Sequence, residues 1–138
     1  MEVFFYGLFM DGTILEKNGI RPSNRRKGCL NDYALKIGKR ASLVPCENDR
    51  SYGIVMTADS KAIRKLYAQP GVDDYIPEEV NIVTSKHDVV TAVCYNLPIE
   101  SLSGTNEVYA LSLYELAKKE GFPIDYLEKI KKMARTTV

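Results

Sequence analysis

The 138-residue chain has one histidine, three cysteines, no surplus of either charge and no long apolar run. Each shortage removes a class of function. The single histidine, His87, lies in Ser85-Lys86-His87-Asp88 between two strand-like segments and reads as a solvated turn residue. A Ser–His or Cys–His nucleophilic pair, or a zinc centre, would have to be built on it alone, so neither is expected. Cys29, Cys46 and Cys94 are odd in number and share no metal-ligand or redox spacing. They read as reduced, buried thiols rather than a disulfide framework. Lys and Arg total 19 against 18 Asp and Glu, a formal net charge of +1. That balance offers no general attraction to nucleic acid or to a membrane. The apolar runs fall far short of the ~20 residues a spanning helix needs. No basic n-region precedes the short apolar run at residues 3–6, and a cytoplasmic location is the expectation. Any catalysis is left to carboxylates, tyrosines or backbone groups.

What the chain does contain is the pattern of an ordinary globular domain, 45% hydrophobic and 27% charged, long enough for one core. Val3-Phe4-Phe5-Tyr6 is β-branched and aromatic and predicts a short buried strand ended by Gly7. A strand running into a glycine turn is a place where backbone N–H groups can face an anion. A short helix is expected between Asp11 and Gly19. Arg21, Arg25, Arg26 and Lys27 surround Pro22 and Ser23 and read as a solvated loop, with an anion patch as the alternative. Strands are expected over residues 29–37, 41–46 (ended by Pro45) and 51–57, with a charged turn at 47–50 and a bulge or close approach at Gly53. Asp59 predicts the N-cap of a helix carrying Ala62, Ile63, Leu66 and Tyr67, stopped by Pro70-Gly71. An acidic, turn-rich stretch at 72–79 leads into a strand pair at 80–83 and 89–97. Two helices close the chain. The first is capped by Asn106 and ended by Gly121; the second follows Pro123 with Ile124, Leu127, Ile130 and Ala134 as its stripe. One α+β domain over residues 1–138 follows: a small, mixed but mostly antiparallel sheet curled into a barrel and flanked by helices.

Four stretches, in order, resemble the γ-glutamylcyclotransferase-like (avirulence-induced-gene-like) family. Tyr6-Gly7-Leu8-Phe9-Met10 is similar to its Tyr-Gly-(Ser/Thr)-Leu-Met opening, and Ser51-Tyr52-Gly53-Ile54-Val55 to its central Val-x-Gly-x-Val/Leu strand. Leu66-Tyr67-Ala68-Gln69-Pro70-Gly71-Val72, followed by Tyr75, is similar to its Leu-Asp-x-x-Glu-Gly segment and tyrosine. Asn106-Glu107-Val108-Tyr109, Gly121-Phe122-Pro123 and Tyr126 are similar to its closing helix, Gly-Leu-Pro turn and tyrosine. The resemblance implies a small barrel flanked by helices and a cyclisation. In it the α-amino group of a γ-glutamyl compound attacks its own γ-carbonyl, releasing an amine and 5-oxoproline.

On the same resemblance, Tyr6, Gly7, Leu8, Phe9 and Met10 form the substrate loop, holding a carboxylate on backbone amides, and Tyr75 and Tyr109 supply apolar area and a hydroxyl each. The chemistry requires a base for the ammonium and an acid for the leaving amine, roles one carboxylate can fill, together with donors at the developing oxyanion. The family carboxylate precedes the glycine that aligns with Gly71. Here Gln69 and Pro70 occupy that position, and an amide is not a base. Leu8 also replaces the family's small hydroxyl residue. Three outcomes stay open. One is residual cyclotransferase activity. The second is a non-catalytic small-molecule-binding or regulatory protein. The third is another amide or acyl transfer using a displaced acid, with Glu78 and Glu79, then Asp73 and Asp74, as candidates. The resemblance implies no metal and no organic cofactor, and a small molecule as the partner.

Overall fold

The computed structural model describes residues 1–134. In chain order these are β1 (Glu2–Phe5), a 3₁₀ turn at Leu8–Met10, α1 (Gly12–Lys17), β2 (Ser23–Ile37), β3 (Ala41–Thr57), α2 (Ser60–Leu66), β4 (Ile76–Thr84), β5 (Val89–Asn96), a second 3₁₀ turn at Ile99–Ser101, α3 (Glu107–Glu120) and α4 (Ile124–Ala134). The strands close into a barrel in the order β1-β3-β2-β4-β5. Every pairing is antiparallel except the closure of β1 on β5, through Val3↔Val93. The expected mixed, mostly antiparallel barrel with flanking helices is the fold observed.

Local chemistry accounts for the element ends. Asp11 and Asp59 accept from Thr13 N and Ala62 N and cap α1 and α2. Asn106 accepts from Tyr109 N and caps α3, and Gly121, at φ 77°, ends it in the left-handed conformation. Gly53 marks a close approach: a Cβ there would lie 2.4 Å from the Phe5 carbonyl oxygen and 2.7 Å from the Phe4 ring. That contact lets β1 lie against β3, and Val3, Phe4, Phe5, Ile54, Val55 and Met56 together form one wall of the core.

Several boundaries differ from the sequence expectation. From Ser23 on the basic stretch is strand rather than loop, because β2 already begins there; Arg21 and Pro22 precede it. Two of the stretch's four positive charges are drawn into ion pairs, Arg25 to Glu120 at 2.9 Å and Arg26 to Glu2. Pro45 does not end a strand, nor do residues 47–50 form a separating turn. β3 runs through both while its register against β2 slips from Asn31↔Arg50 to Tyr33↔Pro45. Asp32 and Asn48 take left-handed φ values of 64° and 67°, and Asn48 N donates to Asp32 Oδ1 at 3.0 Å. The slip is an irregularity that accommodates a proline inside a long strand. The second half of the acidic stretch is also strand, since β4 starts at Ile76. In α4 the buried stripe is Tyr126, Ile130 and Ala134, while Ile124 is 77% exposed. Tyr126 is inward because it meets Tyr52 and Phe122, a tertiary contact. Among the cysteines, all free, Cys94 is buried, Cys29 half-buried and Cys46 exposed, so the expectation of buried thiols holds for Cys94 and fails for Cys46. No helix among the described residues is long and apolar enough to cross a membrane.

Candidate functional site

The chain leaves the barrel at Tyr6 and turns immediately. Met10 N donates to Gly7 O and Asp11 N to Leu8 O, both at 3.0 Å, which closes the 3₁₀ turn and leaves the amides of Gly7, Leu8 and Phe9 outside those bonds. Beside this turn lies a cavity of about 310 Å³. Tyr6, Gly7, Leu8 and Phe9 form one side of it, and Gly71, Val72 and Tyr75 the other. Tyr67 and Tyr109 close it, and Lys39 and Arg40 stand at its edge. The elements bring these groups together from the end of β1, the β2–β3 turn, the segment after α2 and the first turn of α3.

Tyr109 is set into the loop. A Cβ on Gly7 would fall 2.4 Å from the Tyr109 hydroxyl oxygen, so residue 7 must lack one for the ring to lie where it does. Burial, with the nearby Tyr75, pushes the Tyr109 phenol above its ordinary value. The Tyr75 hydroxyl donates to Ala41 O at 2.6 Å, and burial raises its pKa to about 12 against the nearby Arg40 charge. Tyr6 donates to Tyr95 O at 2.7 Å. Tyr67 stacks flat on Tyr95, centroids 3.8 Å apart, and meets Phe9 edge-on at 5.7 Å. Burial drives both Tyr6 and Tyr67 well above the ordinary phenol range. At neutral pH these tyrosines are neutral hydrogen-bonding groups rather than bases.

Of the charged residues at the cavity edge, Arg40 is committed to structure. Arg40 donates to both carboxylate oxygens of Asp74, at 2.6 and 2.8 Å, and to Gly71 O at 3.2 Å, and lies 5.7 Å over the Tyr75 ring. The pair is bidentate and ties the β2–β3 turn to the segment after α2. The Arg40 contact also holds the Asp74 carboxyl below its ordinary range.

The residues singled out from the sequence divide. Tyr6, Gly7, Leu8, Phe9, Tyr75 and Tyr109 line one cavity. Met10 does not: it is buried in the core behind the turn. Gln69 does not either. It is exposed, and its Nε2 donates to Asn18 Oδ1 at the end of α1, 3.0 Å away. Glu78 lies on β4, where its two oxygens accept from Asn96 at 2.6 Å and Tyr33 at 3.4 Å. It lines a different, mostly apolar cavity of about 320 Å³ with Leu43 and Leu97. Glu79 and Asp73 are exposed. Thus, among the described residues, no Asp or Glu lines the cavity at the Gly7 turn. Sequence reasoning missed Tyr67 and Arg40 as site residues. Tyr67 left one signal, an aromatic at the C-cap of α2. Arg40 left none, because its place depends on how the β2–β3 turn packs.

No protein-family model and no curated protein matches the chain. Solved structures do match in fold. One is a γ-glutamyl cyclotransferase, 20% identical, with a TM-score of 0.75 over 95% of this chain and 86% of that one. Another is an uncharacterized protein from Homo sapiens, 21% identical, TM-score 0.75, covering 94% and 85%. A third is a γ-glutamyl cyclotransferase specific to glutathione from yeast, 12% identical, TM-score 0.66, covering 97% and 95%.

Proposed function

For a chain with the γ-glutamylcyclotransferase-like fold, we propose a small-molecule-binding role in which the cavity at the Gly7 turn holds a γ-glutamyl amide or its cyclic product without turning it over. One observation carries this reading: the cavity is walled by neutral tyrosines, apolar side chains and the cations Lys39 and Arg40, and among the described residues no carboxylate lines it. Cyclisation requires a proton to leave the α-ammonium before the amine attacks the γ-carbonyl. A positioned acid–base group is worth about 10²- to 10⁴-fold in such a step. Gln69 cannot supply it and faces Asn18, and Glu78 belongs to another cavity. Binding needs less. The Gly7 turn offers backbone donors, Tyr109 and Tyr75 offer hydroxyls, and the aromatic wall offers area to the rest of the ligand. A small-molecule partner and a cytoplasmic location belong to the same proposal.

The experiment is paired. Calorimetry or thermal shift is run with 5-oxoproline and a series of γ-glutamyl amides, and 5-oxoproline release is measured from the same amides. The expected result is saturable binding, adding about 2.7 kcal/mol of stability at a hundredfold excess over Kd, with no release above the uncatalysed rate. Release that Tyr109→Phe diminishes would show turnover in this cavity and overturn the non-catalytic reading. Absence of binding across the series at millimolar concentration would remove the ligand class.

A further inference from the structure

A second cavity, of about 450 Å³, opens at the seam between β2 and β4. These strands pair only at Gly28↔Thr84 and Cys29↔Val83. They can approach there because residue 28 is glycine; a Cβ would lie 2.4 Å from Ile82 Cγ2. Where this short ladder stops, the cavity opens toward the α3–α4 turn.

Its lining is basic on a chain that is close to neutral overall. Lys27, Arg50 and His87 contribute to it, and among the described residues no Asp or Glu does. Of the basic run in the sequence, Arg25 and Arg26 are taken by Glu120 and Glu2, which leaves Lys27 as the member that faces this space. Lys27 is held in place: its Nζ donates to Glu120 O, at the C-terminus of α3, at 2.9 Å. Arg50 takes part in none of the four ion pairs among the described residues. The neighbouring Asp49 carboxylate is instead engaged by Lys129 at 2.6 Å and by the Arg50 backbone amide. Thr84 and Ser85 add hydroxyls, and Tyr52 and Phe122, 6.0 Å apart, form an aromatic wall.

We propose that this seam cavity binds a small phosphate-bearing molecule with a planar body, about the size of a mononucleotide. Lys27 and Arg50 receive the phosphate, and Tyr52 takes the planar body against its ring. A guanidinium and an ammonium that enter none of the ion pairs among the described residues suit a phosphate dianion through charge-assisted hydrogen bonds. The aromatic wall supplies stacking that is indifferent to the exact ring. The site is separate from the Gly7 cavity and does not depend on the function proposed for it.

The test is an amide-resonance titration of the whole chain with adenosine monophosphate, with adenosine and with inorganic phosphate as separate arms. Adenosine monophosphate is expected to shift resonances around Lys27, Cys29, Arg50, Tyr52 and His87 saturably, and saturating 5-oxoproline is expected not to displace it. Adenosine and phosphate should each bind at least about tenfold more weakly. Arg50→Gln should weaken the nucleotide by about tenfold, the loss of one charge-assisted contact, while Lys61→Gln on α2 leaves it unchanged. Arg50 is exposed, so the variant is expected to fold; if its thermal midpoint falls, Lys27→Gln is read in its place. Shifts absent from this seam, or nucleotide affinity untouched by the charge-removing variant, would overturn the proposal. Phosphate or adenosine binding as tightly as the nucleotide would overturn the ligand class assigned.

Discussion

Replacing Gly7 with alanine tests whether Tyr109 is built into the loop. The backbone at Gly7 has φ −110° and ψ −153°, extended and open to any residue, so alanine brings no conformational strain. The only obstacle is the Tyr109 hydroxyl oxygen, 2.4 Å from the new Cβ; the next atom, the ring Cζ, is at an ordinary 3.8 Å. A clash of this kind in a packed region costs about 1–3 kcal/mol. Tyr109→Phe alone removes that oxygen, at a cost of no more than about 1 kcal/mol. In the double variant the clash has no oxygen to act on, so the two changes must couple. Urea denaturation of all four proteins should give an interaction energy of about 1–2 kcal/mol, with the double variant more stable than the sum of the single effects predicts. Additive losses would refute the reasoning and place the Tyr109 hydroxyl elsewhere in solution. The same cycle bears on ligand binding, because the oxygen that blocks a Cβ sits where a ligand would meet the Gly7 turn.

Three further outcomes follow from the geometry. Gln69→Glu should give no gain in 5-oxoproline release, since the side chain is exposed and turned to Asn18; a gain approaching the about 10²-fold expected of a positioned acid–base group would show that it reaches the cavity. Gly53→Ala should cost at least about 3 kcal/mol or prevent folding, because the new Cβ meets the Phe5 carbonyl oxygen, a backbone atom that cannot swing aside; a near-native denaturation midpoint would contradict the close β1–β3 contact. The tyrosine contribution to stability should hold steady to about pH 10 and fall above it. Burial raises Tyr75 to about 12 and also pushes Tyr6, Tyr67 and Tyr126 above their ordinary value, so the folded chain keeps neutral phenols that the unfolded chain ionises near 10. The raised folded values mean the contribution is complete below pH 10 and declines as pH climbs through 12. Phenolate absorbance from all the tyrosines near pH 10 with the fold intact would refute it.

What the sequence determined was local and physical. Val3-Phe4-Phe5 could only be a buried strand, Asp59 and Asn106 could only start helices where they do, and Gly121 ended α3, because each of these depends on a few neighbouring residues and the free backbone groups they satisfy. Gly53 was legible as a close approach for the same reason, a missing Cβ inside an apolar strand. The ordered resemblance carried the barrel and six of the residues that line the Gly7 cavity. The tertiary structure decided what depends on partners distant in the chain. β3 stays one strand through Pro45 and Asn48 because β2 absorbs the slip at Asp32, and nothing near Pro45 in sequence encodes that. Tyr126 displaces Ile124 from the core because Tyr52 and Phe122 are waiting for a ring. Gln69, Glu78 and Asp74 are close in sequence yet point to Asn18, Asn96 and Arg40. A turn and a strand send consecutive side chains in different directions, and only the packed barrel settles which of them faces a cavity.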